Sequence, residues 1–184
     1  MLRPGLALIV GLSALAFPAA APADDSTVPP GASFRAEFLA QLDDVEKKLL
    51  SLAEAIPQEK YGWRPGEGVR STSEVFLHVA GGNYFLPTFI GLQPPVSWTA
   101  EMEKETDKAK VIATLKESLV YVRKVATELP DAELERAVKF FGRDSSVLGV
   151  LFLAANHLHE HLGQLIAYAR TNGIAPPWSL AAGG

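Results

Sequence analysis

Three of the four histidines in the chain lie within five residues of one another, at His157, His159 and His161. The surrounding sequence predicts a helix, in which each residue advances by roughly 100°. His157 and His161 are therefore only about 40° apart on one face, whereas His159 lies about 200° from His157. Two imidazoles at this spacing can bind one metal ion from a single helix and leave the other coordination positions to be filled from elsewhere.

The remaining histidine, His78, lies on another predicted helix, which can run beside the first in a bundle. A lone histidine on an apolar helix face is more often a hydrogen-bonded core residue than a ligand. The histidine pair reverses that preference, because three imidazoles with one open position form a catalytic type of metal site. We therefore predict His78, His157 and His161 as metal ligands and His159 as a surface or interface residue.

Three polar residues are candidates to orient the ligand rings from outside the coordination sphere: Gln164, Asn156 and Glu74. Gln164 lies seven positions after His157 and about 20° from its direction, so its amide can hydrogen-bond an imidazole. Glu74 lies one turn before His78, but a capping or solvated role is equally open to it. Gly163 is expected to permit a close helix contact.

Composition limits the kind of protein that can carry such a site. The chain has 184 residues, of which 48% are hydrophobic and 21% charged, enough for one domain with its own core. The formal net charge of −4 argues against nucleic acid as a partner, because that partner requires clustered Lys and Arg. The chain has no cysteine, so a metal must be bound through nitrogen and oxygen atoms alone.

Residues 1–23 are typical of a secretory signal peptide. A basic start precedes a short apolar stretch at 6–17, and a small-x-small cleavage site follows at 21–23. We expect export to the periplasm or the extracellular space, with no stable membrane insertion after cleavage. The alternative is an uncleaved anchor or an incorrectly chosen start. Residues 24–32 are predicted to form a flexible leader and residues 179–184 a flexible tail.

Residues 33–178 predict an all-α domain, an up-down four-helix bundle or a close relative. Apolar residues recur at three- and four-residue spacing in four segments. These segments are about 33–56, 71–90, 104–129 and 147–170. The sequence from Ser71 to Glu74 predicts a capping box, and Gly81-Gly82 weakens the second helix, which makes a packing or access role for the two glycines worth considering. Residues 131–144 predict a short extended stretch or a turn.

The order of several short motifs resembles the DinB/YfiT-like superfamily over most of the chain, from about Ser33 to Trp178. The motifs are Trp63 to Pro65, Ser71 to Glu74 followed by His78, Asn156 to Gln164, and Pro176 to Trp178. The resemblance implies a four-helix bundle, often a homodimer, with a divalent metal, commonly zinc or nickel, held by His78, His157 and His161. Some members of the superfamily are thiol-dependent transferases or isomerases, which implies a low-molecular-weight thiol as a possible cofactor.

Three functional hypotheses follow. The first is a metal-dependent transferase or hydrolase that acts on a small molecule, with a water or a thiol as the nucleophile. The second is a non-catalytic metal- or ligand-binding bundle that uses the same three residues. The third is a bundle in which the histidines only pack. Tyr61 and Trp63, in the loop before the second helix, are interpreted as packing residues rather than a ligand clamp.

Overall fold

The computed structural model describes residues 30–181, which form four main helices, one short hairpin and a short terminal helix. The main helices are α1 (Pro30–Ala55), α2 (Thr72–Phe85), α3 (Lys108–Glu128) and α4 (Val147–Thr171). The hairpin consists of β1 (Ala137–Phe140) and β2 (Arg143–Ser146), and α5 (Pro177–Ala181) follows α4. The all-α four-helix bundle predicted from the sequence is confirmed. The signal peptide and most of the predicted leader lie outside the described residues and stay predictions.

The start of α1 and the end of α2 differ from the predicted boundaries. α1 starts at Pro30, three residues before the expected cap at Ser33. Proline is well tolerated at the first helical position, because the backbone N–H it lacks would have no partner within the helix. α2 gives way after Phe85 to a 3₁₀ helix, Leu86–Ile90, with Pro87 in its first turn. A further 3₁₀ helix, Ala100–Lys104, precedes α3.

The four helices do not pack in chain order. α1 packs against α3 and α4, and α2 packs against the same two helices, so the order around the bundle is α1, α3, α2, α4. Residues 56–71, which connect α1 to α2, are long enough to carry the chain across to the opposite corner. This arrangement makes α2 and α4 neighbours, and these are the two helices that carry the histidines.

The connection between α1 and α2 is itself built into the core. Tyr61 is fully buried, and its hydroxyl donates to the carbonyl oxygen of Ala53 at 2.8 Å, which agrees with a packing role. The backbone N–H of Ser73 donates to the carbonyl oxygen of Tyr61 at 2.9 Å, so the loop satisfies part of the first turn of α2. The predicted capping box is present, with reciprocal bonds between Ser71 and Glu74. The start of α2 is therefore fixed relative to α1.

The segment between α3 and α4 forms an antiparallel hairpin, in which Phe140 pairs with Arg143 across a two-residue turn. Phe141 and Gly142 form that turn with φ angles of +46° and +78°. α4 begins directly after β2, and the side chain of Ser146 accepts a hydrogen bond from the Gly149 backbone N–H. Trp178 of α5 packs against the core. None of the helices in residues 30–181 is long and apolar enough to span a membrane.

Candidate metal centre

α2 and α4 bring three imidazole rings into mutual contact. His78 projects from α2, and its ring centroid lies 5.1 Å from that of His157 and 4.8 Å from that of His161 on α4. The two rings of α4 are 4.5 Å apart, as residues at i, i+4 on one face should be. His159 is exposed and takes no part in this cluster. The structure thus brings together the three predicted ligands and leaves out the fourth histidine.

The nitrogen atoms of the cluster are spaced as a metal site requires. One ligand nitrogen from each ring lies within 4.8 Å of those of the other two rings, and the Nε2 atoms of His78 and His157 are 3.3 Å apart. Two nitrogens bound to a single tetrahedral zinc ion at about 2.05 Å are roughly 3.3 Å apart. The His78–His157 pair already has this separation, and the nitrogen of His161 lies within 4.8 Å of both.

A chain of hydrogen bonds determines which nitrogen of His161 is free. The Tyr168 hydroxyl donates to the carbonyl oxygen of Arg70 at 3.1 Å, so the Tyr168 oxygen accepts from Nε2 of Gln164 at 2.9 Å. The Gln164 Oε1 atom then faces His161 and lies 2.9 Å from its Nδ1. An amide oxygen only accepts, so Nδ1 carries the proton and Nε2 keeps its lone pair. Gln164 therefore makes the contact proposed for it from helical spacing.

A carboxylate plays the equivalent part for His78. Glu103, in the 3₁₀ helix before α3, places Oε1 at 3.2 Å from Nδ1 of His78. An ionised carboxylate only accepts, so the proton lies on Nδ1 and Nε2 faces the other two rings. Arg70 donates from Nε to the second Glu103 oxygen at 3.1 Å, which holds the carboxylate in place.

Sequence reasoning missed both Glu103 and Tyr168. Only Tyr168 could have been found from the sequence, since it lies seven residues after His161 on the same helix face.

His157 lies directly against the backbone of α2, at Gly82. A Cβ atom added to Gly82 would come within 2.8 Å of His157 Nδ1 and closer still to its Cε1, so only glycine leaves room for the ring. Nδ1 of His157 is buried and has no hydrogen-bond partner among residues 30–181. The packing role considered for the glycine pair is therefore present at Gly82, which makes room for a predicted ligand.

The environment keeps two of the rings neutral. Burial, with smaller contributions from His161, His78 and Arg70, lowers the pKa of His157 to about 4. Burial also lowers the pKa of His78, against the opposing effect of the hydrogen bond that His78 donates to Glu103. Neutral imidazoles are the metal-binding form, so at neutral pH neither of these two rings has to lose a proton before it binds a cation.

The other sequence candidates lie elsewhere. Glu74 completes the capping box and pairs with Arg64 at 3.1 Å, so it does not reach the histidines and its capping interpretation is the correct one. Asn156 is exposed at the edge of the site and makes no side-chain hydrogen bond with the described residues. A Cβ on Gly163 would meet nothing within 4 Å, so the expected close helix contact is wrong. Gly81 instead makes a close contact with a loop residue, the indole of Trp98.

The histidines form part of the wall of a cleft of about 560 Å³. His78 and His157 line it, with the carboxylates of Glu103 and Glu160 beside them. Most of the remaining wall is apolar or aromatic. It includes Tyr84, Phe85, Trp98, Phe141 and Leu153. A cleft of this size and composition is typical of a small-molecule site.

Comparison with known proteins places this architecture in a family. The model of the DinB superfamily matches residues 41–165, a span that contains all three clustered histidines. The uncharacterized protein YjoA of Bacillus subtilis strain 168 is 30% identical over 127 residues, which are 66% of this chain and 80% of YjoA.

Solved structures show the same fold at lower identity. A DinB-like protein from Bacillus cereus ATCC 10987 superimposes with a TM-score of 0.67 at 18% identity, over 76% of this chain and 93% of that one. YfiT from Bacillus subtilis, described as a probable metal-dependent hydrolase with an unusual four-helix bundle topology, gives a TM-score of 0.63 at 16% identity, over 83% and 94%. The matched family model and the shared fold agree, and the chain belongs to the DinB superfamily.

Proposed function

We propose that His78, His157 and His161 hold one divalent metal ion, zinc or nickel, and that the protein is a metal-dependent hydrolase of small esters or amides. The observation that carries the proposal is the convergence of three imidazole nitrogens, all within 4.8 Å of one another, at the wall of an apolar cleft. Three protein ligands and an accessible side are the arrangement of a catalytic rather than a structural site.

The residues present fit such a metal. All three donors are imidazoles, which suit zinc and nickel. Two of the rings have their Nδ1 protons engaged, by Glu103 and by Gln164, so that their Nε2 lone pairs are available. Carboxylate and carbonyl acceptors behind a ligating imidazole are the usual outer support of a metal site, because they fix the ring and raise its basicity.

A bound divalent ion would supply Lewis acidity that lowers the pKa of water towards neutrality and polarises a carbonyl oxygen. The protein's own groups would handle the proton. Glu103 is occupied by His78 and Arg70, whereas Glu160 lines the same cleft and makes no ion pair with the described residues. We assign Glu160 the role of taking a proton from the attacking water and returning it to the leaving alcohol or amine as the acyl bond breaks.

Hydrolysis is favoured over the alternatives by the carboxylates in the cleft wall. Proton transfer from water needs such a group, and a bundle that only stores metal does not. The description of YfiT as a probable metal-dependent hydrolase supports the same choice. A thiol-dependent transferase and a non-catalytic binding protein are the competing outcomes of the test.

The test begins with the metal content of the purified protein after loading with zinc or nickel. We expect one equivalent in the wild type and in His159→Ala, the matched control on the same helix, and less than a tenth of that in His157→Ala. The loaded protein is then assayed with aryl and alkyl esters, with anilides, and with low-molecular-weight thiols plus an electrophile. Turnover of an ester or anilide that disappears in His78→Ala supports the proposal.

Two results would overturn it, and they do so at different steps. Metal that persists undiminished in His157→Ala removes the ligand assignment. Metal that is lost in this variant, combined with thiol conjugation and no hydrolysis, would make the protein a transferase. Glu160→Gln serves as the probe of the proton-transfer role, because it should lower the turnover number without changing the metal content.

A further inference from the structure

Exposed apolar side chains are concentrated at the cleft beside the histidines. Phe85 is 49% exposed, Phe141 64% and Leu153 37%, and all three line this cleft. Isolated exposed apolar residues need no explanation, but three around one concave surface mark a place where a ligand is bound. The cleft is thus prepared to cover an apolar group next to the imidazoles.

Phe141 has a backbone conformation that is unfavourable for a bulky residue. It is the one non-glycine residue with a positive φ in residues 30–181, at +46°, and Gly142 follows at +78°. A two-residue hairpin turn with two positive φ angles favours Asn or Asp followed by Gly, since a bulky side chain clashes with its own backbone there. The chain keeps the glycine of this pattern but carries phenylalanine at the position before it. Strain of this kind at the edge of a cleft suggests a functional residue.

Neighbouring rings fix the direction of the Phe141 side chain. Its centroid lies 4.9 Å from that of Phe89 and 4.6 Å from that of Phe140, with Phe85 at 6.1 Å. These contacts hold the ring at the cleft while leaving most of its surface open to solvent. The ring contributes little to the core, so packing alone does not account for it.

Charge narrows the class of group that the cleft can accept. The titratable residues in the cleft wall are His78, His157, Tyr84, Glu103 and Glu160, and no Lys or Arg is among the lining residues. A carboxylate or phosphate on the distal part of a substrate would find no cationic partner there and would face two acids. An uncharged aromatic ring meets only favourable neighbours.

We propose that the cleft selects substrates with an uncharged aromatic ring next to the group that reaches the histidines, and that Phe141 is the specificity-determining residue. This inference rests on the proposed metal site and specifies its substrate class. In hydrolysis, water adds to the acyl carbon of an arylcarboxylic ester or amide, and the alcohol or amine leaves with the proton. The ring of the acyl part stacks against Phe141.

The probes are two hydroxamates with the same metal-chelating group, acetohydroxamate and benzohydroxamate, titrated calorimetrically into the zinc-loaded protein. We expect benzohydroxamate to bind roughly five- to tenfold more tightly, which is the contribution of one additional aromatic contact. In Phe141→Asn the ratio of the two affinities should fall to about twofold or less. Acetohydroxamate should bind equally to both proteins.

Asparagine tolerates a positive φ, so Phe141→Asn should fold at least as well as the wild type. The metal-free variant is expected to melt at the same or a higher temperature. Phe152→Gln is the matched control, since Phe152 is 60% exposed on α4 but does not line the cleft. It should keep the full aromatic preference.

The failure of this inference is distinguishable from that of the metal site. If the wild type binds zinc and acetohydroxamate, but the phenyl group adds no affinity or the preference survives in Phe141→Asn, the substrate class is wrong and the metal site stands. If Phe141→Asn melts lower and keeps its preference, the ring serves packing, and the inference is equally overturned. If the wild type takes up no metal, the proposed function and the inference fall together.

Discussion

Each imidazole of the cluster is oriented by a different physical means. The Nδ1 proton of His161 is held by the amide of Gln164, and that of His78 is held by the carboxylate of Glu103. His157 has no such partner among the described residues and is positioned by close packing against Gly82. The three rings should therefore differ in their response to mutation of their surroundings, and the amide offers the cleanest test.

Replacing Gln164 by leucine should lower zinc affinity by about tenfold to a hundredfold without unfolding the protein. Leucine has nearly the same volume but cannot accept a hydrogen bond from the Nδ1–H group, so the His161 ring becomes free to rotate or to take the other tautomer. Competition with a zinc-binding chromophore measures the change. Tyr168→Phe is the graded control, because it keeps the amide but removes the hydroxyl that orients it. Equal zinc affinity in wild type and Gln164→Leu would contradict this account of the His161 tautomer.

Side chains on a periodic helix could be placed from the sequence, whereas those in the connections could not. Gln164 was within reach because it shares a helix with His157 and His161, and periodicity determines direction within a helix. Glu103 lies 25 residues after His78 in a connection without helical periodicity, so its return to the histidine cannot be read from spacing. Trp98 lies in a loop and Phe141 in a turn, so their positions could not be read from helical spacing either. The clustering of His78, His157 and His161 was predictable, whereas most of the cleft wall was not.

Two adjacent glycines in α2 make room for two different side chains. Gly81 accommodates the indole of Trp98, and Gly82 accommodates the ring of His157. Glycine inside a helix costs about 1 kcal/mol relative to alanine, so the pair weakens α2 in exchange for close contact on two sides. At Gly82 the contact is with a proposed ligand.

Gly82→Ala should therefore reduce metal binding by more than tenfold, although alanine is the better helix former. The added methyl group overlaps the His157 ring and displaces it from the other two imidazoles. Gly163→Ala is the matched control on α4, where the methyl group meets nothing within 4 Å. It should raise the melting temperature slightly and leave metal binding unchanged. Similar zinc affinities for the two variants would show that His157 can reach the metal from another position.

At the element scale the sequence predicted well where local signals agree. α4 was expected to begin at Val147 and to end at Arg170, and it runs to Thr171, because a serine cap and an Asn-Gly end bound a strongly periodic segment. For the hairpin, the sequence does not distinguish an extended stretch from a turn, because the turn carries Phe-Gly in place of the usual Asn-Gly. The packing order of the helices was not predictable, because it depends on how residues 56–71 cross the bundle.

For the whole molecule, the buried imidazoles of His78 and His157 make stability depend on pH. The folded state lowers the pKa of His78, and that of His157 to about 4, whereas an unfolded chain has histidines near 6.5. Between these values the unfolded state binds more protons, so the free energy of unfolding falls as pH falls. The contribution of these two rings is complete above about pH 6.5 and is lost progressively towards pH 4.

The metal-free protein should therefore show a falling melting temperature from pH 6.5 to pH 4.5, and His157→Gln should flatten this dependence while His159→Gln should not. His159 lies on the same helix but is exposed, so its variant separates the burial of one imidazole from the general effect of acid on the carboxylates. At pH 7, zinc at a hundred times its dissociation constant should stabilise the wild type by about 2.7 kcal/mol, because it binds the folded state alone. The same addition should do little for His157→Gln, and the stabilisation of the wild type should itself decline in acid as protons compete for the imidazoles. Scanning calorimetry of the three proteins with and without zinc measures both effects. A slope in His157→Gln as steep as that of the wild type would show that the acid sensitivity arises elsewhere in the bundle.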